Sequence, residues 1–254
     1  TLIEAYVAGA AVASVLTILR FAAGRQTYYR RYAAAGFDPN DLGLTVALAI
    51  PLALYLSLKG SGPVQWGGRL AAALAVAAVL LSASRTAWVV SLVAFLFLFW
   101  AWREGGLAHR VSGVVLLGML VLGPVRLGPP ASRERLAALP AELAAGGVHN
   151  RTQIWKAGLK AFRRHPVAGV GVGSYPEAVR PRLGAPALEG HRYVAHNTYL
   201  SILVESGLVG FGLFALSAAI LAAFVWVLPG VERALWATAL AMLAVGVTTL
   251  SWEH

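Results

Sequence analysis

An all-α fold that crosses a membrane several times follows from three observations on this sequence. The chain is 58% hydrophobic and only 13% charged. Its apolar residues gather in charge-free runs, such as 206–231, long enough to cross a bilayer core. No stretch of useful length alternates apolar and polar residues as a half-buried strand would. Most of the 254 residues are consumed by spans and one large loop, so the reading is one membrane domain with an inserted extramembrane element.

Charge-free runs give about seven predicted spans, at 2–21, 42–58, 67–84, 86–102, 111–125, 197–228 and 234–252. The first, LIEAYVAGAAVASVLTIL, lacks a cationic leader and a cleavage site; it reads as a span of a truncated chain and not as a signal peptide. Several others are short, with charged ends that can snorkel, and Val111 to Val125 is short enough to be re-entrant. This divides the chain into transmembrane helices over 1–125, an extracytoplasmic helical loop over 126–196 and transmembrane helices over 197–254.

Within the loop, SRERLAALPAELAAG predicts a helix interrupted at Pro140. NRTQIWKAGLKAFRRHP predicts a better one over 151–165, capped by Asn150, with Ile154, Trp155, Leu159 and Phe162 as its apolar stripe and Pro166 as its stop. A third, short helix is expected from Ser174, where Ser174 and Glu177 have capping-box spacing.

Successive spans alternate in direction, so loop 22–41, the Ser84-Arg85 turn and loop 126–196 fall on one face. The short connections on the other face carry Lys59, Arg69, Arg103, Arg110 and Arg233, which marks it as cytoplasmic by the positive-inside rule. Loop 22–41 nevertheless carries Arg25, Arg30 and Arg31 on the outer face, a topological cost that points to a use, and Arg30 and Arg31 enter as supporting positions of a site there.

The formal charge of +10 rests on 18 arginines and three lysines. Arginine's planar fork favours phosphate or carboxylate, and beside hydrophobic spans those are lipid phosphates or phosphorylated substrates and not nucleic acid. The absence of cysteine excludes thiol catalysis, disulfides and thiolate metal sites. His149, His165 and His191 share the loop at spacings that fit no metal-ligand pattern, and Asp38 and Asp41, the only aspartates, make a poor magnesium cage. No metal or cofactor is expected.

Arg151 opens its helix, where unpaired N–H groups and the positive dipole end already favour an anion; a solvated surface arginine is the bland alternative. Arg85 stands between two apolar runs and is either a ligand or a snorkelling residue that marks the interface. His196 precedes a helix that Asn197 can cap, which hangs the imidazole at the water boundary, as a base or as an interfacial hydrogen-bonding group. Parity puts Arg85, Arg151 and His196 on one face, and the expectation is one cavity lined by all three with the 151–165 helix across its mouth. Glu205 lies about eight residues into the sixth span, on the order of 12 Å deep; it is expected to pair with an arginine of another span, a direct catalytic role being the alternative, and with Asn197 it joins the supporting positions of the site. GVGVGS, over 169–174, has no preceding strand and no Walker lysine, and reads as a tight turn under the membrane surface.

The succession SRTAW, NRTQIWKAGLKAFRRHPVAGVGVGSY and HNTYLSILVESGLVG, over roughly 75–215, resembles the bacterial O-antigen ligase and polymerase family, and GFDPNDLGL at 36–44 is similar to that family's extracytoplasmic pattern. The resemblance implies a polytopic C-type (GT-C-like) glycosyltransferase of the bacterial inner membrane, independent of metal and cofactor, with its active site on the extracytoplasmic face. Its donor would be an undecaprenyl-diphosphate-linked glycan and its acceptor a glycolipid, a glycan or a protein hydroxyl. By the same resemblance Arg85 and Arg151 would hold the donor diphosphate and His196 would be the acceptor's general base. Members usually possess further upstream spans.

Two other function classes compete. An anion transporter, of the bicarbonate type with which some family members have been labelled, would use Arg85, Arg151 and His196 as a binding ring; related halves and broken spans, its expected marks, are not evident in the sequence. A noncatalytic scaffold whose basic loop binds anionic lipid fits the composition but gives His196-Asn197 no task.

Overall fold

The computed structural model describes residues 1–27, 30–94, 97, 106–126, 128–144, 151–183 and 193–248. Among these residues the regular structure is helical: α1 Leu2–Ala22, α2 Pro39–Lys59, α3 Pro63–Ser82, α4 Arg85–Val93, α5 Leu107–Arg126, α6 Pro130–Ala144, α7 Arg151–Phe162, α8 Tyr175–Val179, α9 Thr198–Val227 and α10 Gly230–Gly246. By length and composition α1, α2, α3 and α9 can each cross a membrane. The run expected at 111–125 lies within α5, whose apolar part Arg110–Pro124 is shorter. The run expected at 86–102 starts with α4, and most of it past Ala94 lies outside the described residues. The run expected at 234–252 lies in α10, which ends at Gly246, and 249–252 again fall outside.

The chain forms two compact units. The first comprises Thr1–Ala137 and Val225–Gly246. Here α2 packs along α3, α1 lies against both, and α10 covers α2 and α4. Small residues permit the close approach: a Cβ on Gly43 would meet that of Ala87 at 2.7 Å, and one on Gly68 would meet the Ala53 carbonyl oxygen at 2.5 Å. Asp38 caps α2 by accepting from the Asn40 N–H at 2.6 Å, with Pro39 in the first turn.

The second unit comprises Ala138–Phe224 and Val247–His254. Its core joins Ile154, Ala157 and Ala161 of α7 to Tyr175 and Val179 of α8, with Ala195 and Val204 closing it. Three loop expectations are corrected here. Helix α6 runs on through position 140, because a proline removes one backbone hydrogen bond without ending a helix whose other bonds are made. Of the expected stripe on α7, Ile154 is buried and Phe162 packs against the core, but Ala157, Gly158 and Ala161 fill the rest of the inward face and Leu159 is 42% exposed. Small side chains face inward because Tyr175 stands so close that a Cβ on Gly158 would lie 2.6 Å from its hydroxyl. Ser174 makes no side-chain cap on α8; the Tyr175 N–H donates to Glu205 Oε1 at 2.9 Å instead, and a buried carboxylate offers the stronger acceptor. Asn150 lies outside the described residues.

Candidate functional site: two arginines, a histidine and a broken helix

Helix α9 is thirty residues long, about 45 Å at the helical rise, which exceeds the roughly 30 Å of a hydrocarbon core. It breaks at Gly207, with φ 67° and ψ −163°. A break frees two carbonyls behind it and two N–H groups ahead of it, and in an apolar environment each must find a partner. The 166–171 loop supplies all four. The Val170 N–H donates to the Val204 carbonyl at 3.0 Å and the Gly171 N–H to the Glu205 carbonyl at 2.9 Å. In return the Leu208 N–H donates to the Pro166 carbonyl at 2.8 Å and the Val209 N–H to the Val167 carbonyl at 3.2 Å. The glycine-rich segment is thus the backbone complement of a broken span, where the sequence suggested only a tight turn. Gly169 is required there: a Cβ would lie 2.3 Å from the Glu205 carbonyl.

The absence of broken spans, part of the sequence argument against a transporter, is corrected by this geometry. The freed carbonyls at Gly207 are nonetheless occupied by loop N–H groups and do not point into an open ion path.

Glu205, 1% exposed, precedes the break. Among the described residues no arginine pairs with it, contrary to the sequence expectation. Its carboxylate instead anchors the Tyr175 N–H, and the Tyr175 hydroxyl donates to the Ile154 carbonyl at 3.2 Å. Glu205 therefore reaches α7 through one tyrosine. Exchanging Glu205 for glutamine keeps an acceptor for Tyr175 and should leave activity within about threefold of the parent, whereas alanine strands a buried N–H at a cost of about 1–3 kcal/mol. Thermal unfolding and activity of the two variants side by side check this, and a strong loss in the glutamine variant would mean that the carboxylate charge itself is used.

Helix α7 is also tied to the histidine segment. The Trp155 indole N–H donates to the Ala195 carbonyl at 2.7 Å. Arg151, half-buried at the start of α7, stands one turn before Trp155 on the same face, and His196 directly follows Ala195. The Trp155–Ala195 bond ties the helix that Arg151 opens to the segment that His196 continues. His196 is exposed and has φ 47°, a left-handed conformation that costs a non-glycine residue about 1–2 kcal/mol. Its neighbours hold it there. The Ala195 carbonyl is taken by Trp155, Asn197 Oδ1 accepts from the Leu200 N–H at 3.1 Å as the predicted cap, and the Thr198 N–H donates to the Val247 carbonyl at 2.9 Å.

Arg85 belongs to the first unit, as the first residue of α4. Ala83 ends α3 with φ 47°, and Ser84 caps α4 by accepting from the Ala87 N–H at 3.3 Å. The half-buried Arg85 lines a cavity of about 320 Å³, counted with its open mouth, together with Leu80, Ala83, Ser84, Trp88 and Ser132. Trp88 is fixed by its indole N–H, which donates to the Leu120 carbonyl at 2.6 Å. One guanidinium among mostly apolar walls suits an anionic group carried on an apolar chain.

The two supporting arginines divide. Arg30 is exposed and pairs with Glu134 at 3.2 Å, a surface ion pair worth about 0–1 kcal/mol. Arg31 is 3% exposed; its Nε donates to the Ser82 carbonyl at 2.8 Å and a terminal nitrogen donates to Asn40 Oδ1 at 2.7 Å. It satisfies a carbonyl at the end of α3 and braces the turn that carries Arg85. Sequence reasoning gave Arg31 a place near the site but not this structural task, since its partners lie 51 and nine residues away. His149 and His191 lie outside the described residues, and His165 is exposed.

Set against known protein families, residues 70–215 match that of the O-antigen ligases, more than half of the chain. The chain belongs to the O-antigen ligase family. The matched region contains Arg85, Arg151, His196, Glu205 and the break at Gly207. Comparison with curated proteins gave no match. O-antigen ligase membership implies a glycosyltransferase-like function, with a lipid-linked glycan and an acceptor as partners. Together with the membrane-length helices it indicates a multi-pass inner-membrane protein.

Proposed function

We propose that this protein transfers a glycan from an undecaprenyl-diphosphate-linked donor to an acceptor hydroxyl, without a metal ion and with inversion at the anomeric carbon. In this reading it is a GT-C-like protein of about seven spans, with membrane portions at 1–125 and 197–254 and the 126–196 loop on the extracytoplasmic face, where the active site opens. Arg85 and Arg151 hold the diphosphate, and His196 takes the proton of the acceptor hydroxyl. The acceptor oxygen bonds to the anomeric carbon as the bond from that carbon to the phosphate oxygen breaks, and undecaprenyl diphosphate leaves. Two arginine forks neutralise the charge that develops on the leaving group, and one base suffices for a single displacement.

The observation that supports the reading is the Trp155–Ala195 hydrogen bond, which ties α7, the helix that Arg151 opens, to the segment leading into His196, an exposed histidine held in a strained conformation. The metal-independent reading is supported by the scarcity of aspartate, since Asp38 and Asp41 are the only two in the chain.

Arg151→Lys tests the diphosphate role. Lysine keeps the charge but loses the bidentate fork, so transfer should fall by at least tenfold with little change in thermal stability. Transfer by the purified protein from lipid-linked glycan, followed by mass spectrometry with no metal added, is the measurement. Activity within about twofold of the parent would return Arg151 to the status of a solvated surface residue.

A further inference from the structure

The outward face of α7 carries a cationic stripe that the transfer reaction does not use. Lys156 and Lys160 stand opposite the buried Ile154, Ala157 and Ala161 on α7, and Arg163 and Arg164 extend the stripe into the turn that follows Phe162. All four are exposed, and among the described residues none has a carboxylate partner. Immediately after them come two exposed aliphatic side chains, Val167 at 63% and Val172 at 74%.

Val167 is placed along α9 by the hydrogen bonds from Leu208 and Val209 to the carbonyls of Pro166 and Val167, and Val172 by the Gly171 N–H that donates to the Glu205 carbonyl. From Leu208 onward α9 exposes an unbroken series of large apolar side chains, including Leu208, Leu213, Leu216 and Phe224 at 57–66%. Val167 and Val172 therefore continue the surface of a membrane-length helix, and the cations stand just beyond it. Cations on one side of a line and aliphatic side chains on the other match the boundary between phosphate head groups and acyl chains.

We propose that this surface, Lys156, Lys160, Arg163 and Arg164 with Val167 and Val172, docks on anionic phospholipid head groups and seats α7 at the bilayer–water boundary. The occupant is a lipid because the aliphatic residues are contiguous with the membrane-length helix; a soluble anion would use the cations alone. The inference is independent of the transfer chemistry, and it gives α7, which carries Arg151, a fixed height above the membrane.

Because the chain has no cysteine, Val172→Cys provides a single attachment point for an environment-sensitive fluorophore. The labelled protein is placed in nanodiscs of neutral phosphatidylcholine alone or with phosphatidylglycerol, each containing a lipid spin-labelled near the head group. Docking predicts quenching at least roughly twofold stronger in the anionic discs, reversed by high salt. Replacing Lys156, Lys160, Arg163 and Arg164 with glutamine should abolish the difference. If that variant does not fold, the salt titration of the parent still decides. Equal quenching in neutral and anionic discs, or a label quenched only by aqueous iodide, overturns the proposal. So does loss of the lipid effect on adding millimolar inorganic diphosphate at constant ionic strength, which would assign the stripe to a soluble diphosphate.

Discussion

Replacing His196 with alanine is expected to lower glycan transfer by roughly 10²–10⁴-fold, the usual contribution of a general base, while donor binding survives. Binding survives because the proposed diphosphate contacts come from Arg85 and Arg151. Thermal stability should stay within about 1 kcal/mol of the parent, since His196 lies exposed on the surface. A purely structural histidine would behave differently, lowering stability and donor affinity together. Binding and transfer are therefore measured separately on both proteins after their thermal stabilities have been compared. Transfer by the alanine variant at the parental rate would assign the base to another group.

The second large effect is expected at Gly207. Its backbone, at φ 67° and ψ −163°, lies where glycine alone is at ease, and an added Cβ would stand 2.2 Å from the Val167 carbonyl oxygen and 2.6 Å from the Gly169 nitrogen. Those neighbours are backbone atoms and cannot swing aside. Gly207→Ala must therefore expel the 166–171 loop and leave up to four backbone groups without partners. The cost is more than about 4 kcal/mol. Loss of the cooperative thermal transition and rapid proteolysis of the 166–171 loop would report it. Gly173→Ala is the matched control: its φ of 75° carries the backbone strain, but nothing lies within 4 Å of the added Cβ. It should cost only about 1–2 kcal/mol. Equal, mild effects at the two positions would mean that the loop does not close the break.

The helical character, the placing of α1, α2 and α3, and the Asn197 cap before α9 were legible in the sequence. Each follows from short-range rules: charge-free run length, helix periodicity, and a side chain that bonds an N–H three residues on. His196 and Arg151 could be singled out for the same reason, since a helix start and a cap define their local chemistry. The signal for the break in α9 was present but unread: its run exceeds what a bilayer core requires, and a glycine stands within it. On α7 the sequence rightly placed Ile154 and Phe162 on the packed face, but not Leu159, whose place is taken by Ala157, Gly158 and Ala161 because Tyr175 crowds the helix at Gly158.

The sequence by itself therefore determined what depends on neighbours a few residues apart: which runs are helical and apolar, where caps fall, and which basic residues and histidine stand at helix ends. Only the tertiary structure decided the partners of Glu205 and Arg31, the union of the 166–171 loop with the gap in α9, and the Trp155 bond that ties α7 to the backbone just before His196. The physical reason is range. These contacts join backbone and buried polar groups some 30 to 50 residues apart, and such groups must be paired somewhere, but nothing in the local sequence specifies with which partner.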